Sequence, residues 1–410
     1  MREILKQSSW LFFAQIITRF IGFFYTIFLA RNLGVGDFGL YTVALSFFSL
    51  VSTSADFGFN QFLIREIVRG KSNIFSLLWN IAILRLVVSS ILFTIFALIL
   101  YALDSDSLRV SLSLLAILAV LPQGVALTLD GAFVALRKLQ YSAISSLIVS
   151  FTTAILGVFL VIAGFGPIGA VNALILGQVI YLIVLIILFN NLKPFRIFPV
   201  DLSIIKKIIL GSLPYGILGV IGFLSFRLDT IILSYFRGNF ETGIYGVAYK
   251  FLDAVVFIPT ILALASFPIF VKTLNTDLIT VKKIYSKNLK ISLTLGLAIM
   301  VLYLMILPEI VRVILPDYSS SIQLIQILAL SIPFIFMHIP LNQLLLSSEK
   351  YLKQLILIYS VLFSINIILY LTFIPLYGTK AAAWVTVLSE FSTFLTLLLF
   401  LKIRLFGKLS

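Results

Sequence analysis

Eight ionisable residues lie inside long apolar stretches of this sequence, where a charge is costly. Four are basic and four are acidic: Arg19, Arg85, Arg227 and Lys250, and Asp130, Asp229, Asp253 and Glu390. An ionisable side chain in such a stretch usually faces a cavity or a charged partner, so each is a candidate functional residue. The basic set predicts a central cavity that binds an anionic ligand, and the acidic set predicts residues that bind a cation or a proton, as ion-coupling residues do.

Each of these residues also has a structural interpretation. Lys250 and Asp253 are three residues apart, so they can neutralise each other on one helix face. Asp229 lies two residues from Arg227 and points to a different face, so the two are not obvious partners. A basic residue on a neighbouring helix can hold any one of the buried carboxylates. Asp56 and His338 are expected nearer a membrane boundary or a helix end.

The composition argues against several other kinds of chemistry. The chain has no cysteine and one histidine, which argues against disulfides, thiolate metal sites and histidine-rich metal or triad chemistry. Gly34 and Gly36 form a loop pair without a following Gly-Lys-Ser/Thr sequence, so no ATP site is predicted. We therefore expect no cofactor, no metal and no enzymatic activity.

The elements that position these residues are predicted to be membrane-spanning helices. The chain is 61% apolar and 11% charged, whereas a soluble domain has about 25% charged residues. A spanning helix needs about 20 mostly apolar residues. Twelve such runs occur, near residues 9–31, 38–56, 76–101, 110–136, 141–163, 168–189, 208–236, 243–271, 288–307, 320–347, 354–373 and 381–401. Pro214 and the neighbouring Gly211, Gly216 and Gly219 are expected to interrupt the seventh run, as a hinge or a static kink.

The basic residues alternate between the two ends of these predicted helices. The loops on the side of the N-terminus hold 21 Lys and Arg residues and the opposite loops hold five, with four inside the helices. Because positive loops stay in the cytoplasm, both termini are predicted to be cytoplasmic in a multi-pass protein of the cell membrane. The net charge of +14 is therefore a topology signal facing anionic lipid, and no nucleic-acid partner is expected.

The first half of the chain is repeated in the second half, 204 residues later. Residues 26–44 and 230–248 share eight identities in 19 positions, and Asp37 corresponds to Glu241. A weaker similarity, at an offset of 212, pairs Gly166 with Gly378. Six helices per copy give both halves the same orientation, which is typical of transporters with a site between the repeats. The predicted domains are a six-helix lobe at 1–189, a cytoplasmic linker at 190–203 and a second lobe at 204–410.

The repeat connects two of the arginines. Arg227 corresponds to Phe23, one helical turn from Arg19 on the same face. A two-fold axis between the halves would bring the two arginines towards each other, where they repel unless an anion lies between them. Guanidinium groups bind phosphate-type anions through paired hydrogen bonds. The alternative is that a carboxylate or helix C-terminal carbonyls hold each arginine.

Several segments of the chain resemble the polysaccharide-biosynthesis flippases. They are RFIGFF (19–24), ARNLGVGDFGLY (30–41), DFGFN (56–60) followed by Arg65 and Glu66, GSLPY (211–215), RLDTIIL (227–233) and TGIYGVAYK (242–250). More loosely, they are similar to lipid II flippases and multidrug/toxin extruders with the same two-lobed fold. The resemblance implies an all-α, MATE-like transporter that moves a polyprenyl-pyrophosphate-linked oligosaccharide to the outer leaflet by alternating access, acting as a monomer among membrane lipids.

Two other functions remain open at this stage. A cation-coupled multidrug or small-molecule antiporter shares the fold, but it would favour an acidic and aromatic cavity over arginines. A membrane glycosyltransferase or polymerase usually needs a sizeable external loop, and the predicted external loops are short. The sequence does not identify the sugar, the lipid carrier or the coupling ion.

Overall fold

The computed structural model describes residues 2–69, 73–192, 198–274 and 276–406, and over these residues it is almost entirely helical. The α-helices are α1 Arg2–Asp56, α2 Phe59–Arg69, α3 Ile74–Leu103, α4 Ser107–Leu118, α5 Val120–Ala135, α6 Leu139–Leu160, α7 Gly166–Leu192, α8 Leu202–Thr273, α9 Leu278–Met305, α10 Leu307–Ile314, α11 Ser321–Ala329, α12 Ile332–Leu346 and α13 Leu352–Leu401. Short 3-10 and π-helical turns connect some of them.

The predicted twelve-helix architecture is confirmed over the described residues. Eight helices are long and apolar enough to cross a membrane, or nine when α11 and α12 count as one span bent by 46°. Several of these are two helices joined at a glycine, namely Gly34, Gly164, Gly238 or Gly378. When the helices are divided at these glycines and α4 and α5 are taken as one span, the described residues supply twelve spans.

The helix α8 continues through Pro214, where the sequence predicts a hinge or a static kink. Over its described length, α8 has non-helical backbone angles only at Gly238. The glycines here serve close packing: a Cβ on Gly211 would lie 2.4 Å from the Phe62 ring, and one on Gly216 would lie 2.7 Å from the Phe57 carbonyl oxygen. A kink or hinge at Pro214 is compatible with helical backbone angles and stays a prediction.

The chain forms two compact units, Met1–Arg227 and Leu228–Ser410. Unit 1 contains α1 to α7 with the first part of α8, and its core includes Phe62, Phe133, Phe189 and Ile208. Unit 2 contains the rest of α8 with α9 to α13, and Tyr245 is among its largest buried side chains. The division falls within α8, whereas the sequence predicts a boundary at the linker 190–203, and the predicted boundary stays a prediction.

The backbone reproduces the internal repeat within each unit. Gly34 (φ 76°, ψ 168°) and Gly238 (φ 79°, ψ −178°) break their helices in the same way. Gly166 (φ 54°, ψ −142°) and Gly378 (φ 60°, ψ −137°) do so as well. In unit 1 the carboxylate of Asp37 lies beside Gly166, and in unit 2 its counterpart Glu241 lies beside Gly378. The duplicated sequence therefore encodes duplicated turns, each paired with an acidic side chain.

Alanine at Gly378 should destabilise the fold more than alanine at Gly238. Both glycines combine positive φ with ψ far from the left-handed helical region, which costs another residue about 1–3 kcal/mol. A Cβ on Gly238 meets no atom within 4 Å, while one on Gly378 would lie 2.4 Å from Glu241 Oε2 and 2.9 Å from Arg237 Nε. We expect Gly238→Ala to lower the thermal denaturation midpoint in detergent slightly and Gly378→Ala to lower it further. Equal midpoints for the two variants would contradict this packing argument.

Candidate functional site

Unit 1 contains a buried charge cluster around Arg85. This side chain on α3 is 1% exposed and is the bulkiest of the fully buried side chains described. Its guanidinium forms an ion pair with Asp56, the last residue of α1, and donates at 2.9 Å to the carbonyl oxygen of Gly124 on α5. The guanidinium thus ties three helices together.

Asp130 on α5 belongs to the same cluster. Its carboxylate accepts hydrogen bonds from Ser142 on α6 and Tyr181 on α7, and it lies within electrostatic reach of Arg85. One buried guanidinium is therefore flanked by two carboxylates. The sequence predicts functional roles for Arg85 and Asp130 but does not identify Asp56 as the partner. Arg85 and Asp56 are 29 residues apart, and no local pattern connects them. Asp56 lies at a helix end, as expected.

Unit 2 contains a second buried cluster around Asp229. The carboxylate of Asp229, 1% exposed on α8, accepts a hydrogen bond of 2.5 Å from the Tyr245 hydroxyl and one of 2.6 Å from the Thr230 amide. Thr386 on α13 lies 3.3 Å from the Tyr245 hydroxyl and 3.5 Å from that of Tyr370. These hydroxyl groups surround Asp229, one of the residues that the sequence predicts to couple transport to a cation or a proton.

The repeat shows where the two units differ at this position. Asp229 corresponds to Tyr25, and Tyr245 corresponds to Tyr41. Tyr25 and Tyr41 are both buried in unit 1, so a phenol occupies the place that a carboxylate has in unit 2. Because unit 1 folds with a neutral side chain there, the acid in unit 2 is not a general requirement of the repeat.

A third polar contact in unit 2 joins His338 on α12 to Glu390 on α13. The imidazole Nε2 lies 2.7 Å from Glu390 Oε2, and the two side chains are 16% and 12% exposed. His338 lies within α12 and not at a helix end, and the alternative, a position near a membrane boundary, stays a prediction. The sequence predicts a role for Glu390 but not its pairing with His338, although a single histidine in an apolar run indicates a special position.

The remaining predicted site residues lie on α1 and α8. Arg19 is exposed on α1, and Arg227 is half-buried at the end of unit 1. Lys250 and Asp253 are half-buried on the second part of α8. A shared anion-binding cavity formed by Arg19, Arg227 and Lys250 stays a prediction.

Two further features limit the chemistry of the described residues. No three His, Cys, Asp or Glu side chains lie together as a metal site would require in the part of the chain that the structure describes. A groove of about 820 Å³ between α1 and α6 is lined by apolar side chains, including Phe20, Tyr25 and Phe159. An anionic group would find no charged side chain among the residues that line this groove.

Comparison with known protein families identifies the family of this chain. A sequence profile of the family described as "Polysaccharide biosynthesis protein" matches residues 4–274. The chain belongs to this family. No curated protein matches the sequence.

Solved structures with the same fold are membrane transporters. The lipid II flippase MurJ in an inward closed conformation is 16% identical, with a TM-score of 0.76 over 96% of this chain and 87% of that chain. A multidrug resistance MATE family transporter of the MOP superfamily in an inward-facing conformation is 12% identical, with a TM-score of 0.69 over 96% and 95% of the two chains. An outward-facing MATE conformation has a TM-score of 0.63 at 14% identity, over 99% and 96% of the two chains. The chain therefore has the two-lobed MOP fold.

Proposed function

We propose that this protein is a flippase that moves a polyprenyl-pyrophosphate-linked oligosaccharide across the cell membrane during surface polysaccharide synthesis. Membership of the polysaccharide biosynthesis family carries the proposal. The fold supports it, since a flippase for a lipid-linked sugar precursor has the same architecture. The substrate changes its leaflet and not its covalent structure, so no catalytic residue is assigned.

The anionic headgroup is bound by basic side chains. Arg19 and Arg227 are proposed to hold the pyrophosphate between them, because a guanidinium group binds phosphate oxygens in pairs. Lys250 adds positive charge to the same cavity. Arg85 joins the cavity only in a conformation that opens its ion pair with Asp56.

Transport follows from alternating access of this cavity to the two leaflets. Neighbours of the same fold occur in inward- and outward-facing conformations, which supports this mechanism. The carboxylates of Asp130, Asp229, Asp253 and Glu390 are proposed to bind the proton or cation that couples to the cycle. The excess of basic residues in alternate loops supports cytoplasmic termini in the cytoplasmic membrane.

A cation-coupled multidrug antiporter is the second candidate, favoured by the MATE family neighbours. Its cationic cargo would be repelled by the two arginines and attracted by the acids. Drug resistance conferred on a sensitive host, without restored polysaccharide export, would identify this function.

Replacing Arg19 or Arg227 with alanine should reduce polysaccharide export. We expect each single substitution to lower surface polysaccharide at least about tenfold in a flippase-deficient host, because one paired phosphate contact is lost. Arg312→Ala, which removes an exposed arginine paired with Glu309, is the control and should export normally. Normal export by both Arg19→Ala and Arg227→Ala, at wild-type protein level, would contradict the shared anion site.

A further inference from the structure

The His338–Glu390 contact has chemistry that the anion cavity does not use. His338 is the single histidine of the 410 residues, and imidazole is the side chain whose charge ordinarily changes between about pH 5 and 8. Its Nε2 lies 2.7 Å from a carboxylate oxygen of Glu390, and both side chains are largely buried. A carboxylate at this distance accepts an N–H hydrogen bond from either the neutral or the charged ring.

The second ring nitrogen shows where a proton can enter. Nδ1 of His338 is buried and has no hydrogen-bond partner among the residues that the structure describes. On the same helix, one turn further on, the same holds for the buried Oδ1 of Asn342. Residues four apart lie on the same helix face. A bare Nδ1 suits the neutral ring, and protonation there would create an N–H donor on the helix face that also carries Asn342.

The helices packed against this pair contribute other polar groups. On α13, Tyr359 and Tyr370 lie within electrostatic reach of Glu390, and Asn366 donates at 2.6 Å to Ser389. On α9 the ionisable residues are exposed lysines and two buried tyrosines: Lys282, Lys283, Lys287, Lys290, Tyr285 and Tyr303. The turn after α12 holds the exposed Lys350 and the half-buried Tyr351. Lysine and tyrosine ordinarily change charge near pH 10, whereas an imidazole ordinarily does so between about pH 5 and 8.

We propose that His338 and Glu390 form a proton-binding site in unit 2. The proton binds at Nδ1 of the neutral imidazole and produces an imidazolium–carboxylate pair, and its release restores the neutral ring. Protonation turns a hydrogen bond between a neutral ring and a carboxylate into an ion pair of opposite full charges, so the bound proton holds α12 more firmly against α13. Translocation is therefore sensitive to proton binding at this pair. Only this last step rests on the proposed flippase function.

The proton site is tested without any substrate by nitrogen NMR of the single histidine. Protein labelled with ¹⁵N-histidine gives the ring signals of one residue, recorded in detergent from about pH 5 to 8. We expect the Nδ1 signal to change from the neutral to the protonated form across this range, and the titration to differ in Glu390→Gln. A signal that stays constant with pH, or an unchanged titration in Glu390→Gln, would overturn the proposal.

The link to translocation is tested by the pH profile of transport. The transport rate in vesicles at equal inner and outer pH should change at least about fivefold across the same range in the wild-type protein. His338→Gln and Glu390→Gln should each flatten that profile, while the control Tyr359→Phe should keep it. A His338→Gln variant with the wild-type profile would overturn the link. If the wild-type protein moves no lipid-linked sugar, the flippase proposal fails and the NMR titration still decides the proton site.

Discussion

Replacing Arg85 with methionine is expected to destabilise the folded protein by about 3 kcal/mol, because it leaves the half-buried carboxylates of Asp56 and Asp130 without their cation. Arg85 is 1% exposed, pairs with Asp56 and donates to the Gly124 carbonyl oxygen. Methionine fills most of the volume of the arginine side chain, so the loss of stability reports the missing charge and not a cavity. Thermal denaturation in detergent and the yield of monodisperse protein are the measurements.

Two further variants distinguish the effect of the lost charge on stability from a general sensitivity of the protein to mutation. Arg312→Ala breaks an exposed pair with Glu309 and should change stability by at most about 1 kcal/mol. Adding Asp56→Asn to Arg85→Met removes one stranded carboxylate and should recover part of the loss. A wild-type denaturation midpoint for Arg85→Met would show that the buried ion pair does not hold these helices together.

Asparagine at Asp229 should abolish coupled transport while leaving the fold intact. Asparagine has nearly the same shape: its carbonyl oxygen can accept the hydrogen bond from the Thr230 amide, and its NH2 group can donate to the Tyr245 hydroxyl oxygen. It neither carries a negative charge nor takes up a proton. We expect gradient-driven transport to fall at least about tenfold, with a denaturation midpoint within a few degrees of wild type.

Tyr245→Phe is the matched control for this substitution. It removes the hydroxyl that donates to Asp229 and keeps the carboxylate, so transport should fall far less than in Asp229→Asn. If Asp229→Asn transports normally, or if Tyr245→Phe is equally inactive, the carboxylate of Asp229 has no separate coupling role.

The helical architecture could be predicted from the sequence because the membrane imposes it. Spanning helices need long apolar runs, and the twelve predicted runs correspond to the helices divided at Gly34, Gly164, Gly238 and Gly378. The repeat located two of these turns through Gly34 and Gly238, and the weaker similarity aligned Gly166 with Gly378. The apolar runs and the internal repeat are therefore sufficient to predict most of the fold.

The contacts of the candidate sites could be predicted only in part. Asp56 pairs with Arg85 across 29 residues, and His338 pairs with Glu390 across helices, so neither contact has a local signature. The close approach of Phe62 to Gly211 and of Phe57 to Gly216 has no local signature in the sequence either. The alignment of the two repeats does point to one site residue. It pairs Asp229 with Tyr25, so the second repeat has a carboxylate where the first has a phenol.

The central proposal is movement of a lipid-linked oligosaccharide, and vesicle reconstitution tests it most directly. Purified protein is incorporated into liposomes containing a polyprenyl-pyrophosphate oligosaccharide with a labelled sugar, and an external glycosidase reports the fraction facing outward. We predict that wild-type vesicles expose the initially internal sugar, while the Arg19→Ala, Arg227→Ala double variant stays at the level of empty vesicles. Wild-type protein that is folded but leaves the label protected, as in empty vesicles, would contradict the account.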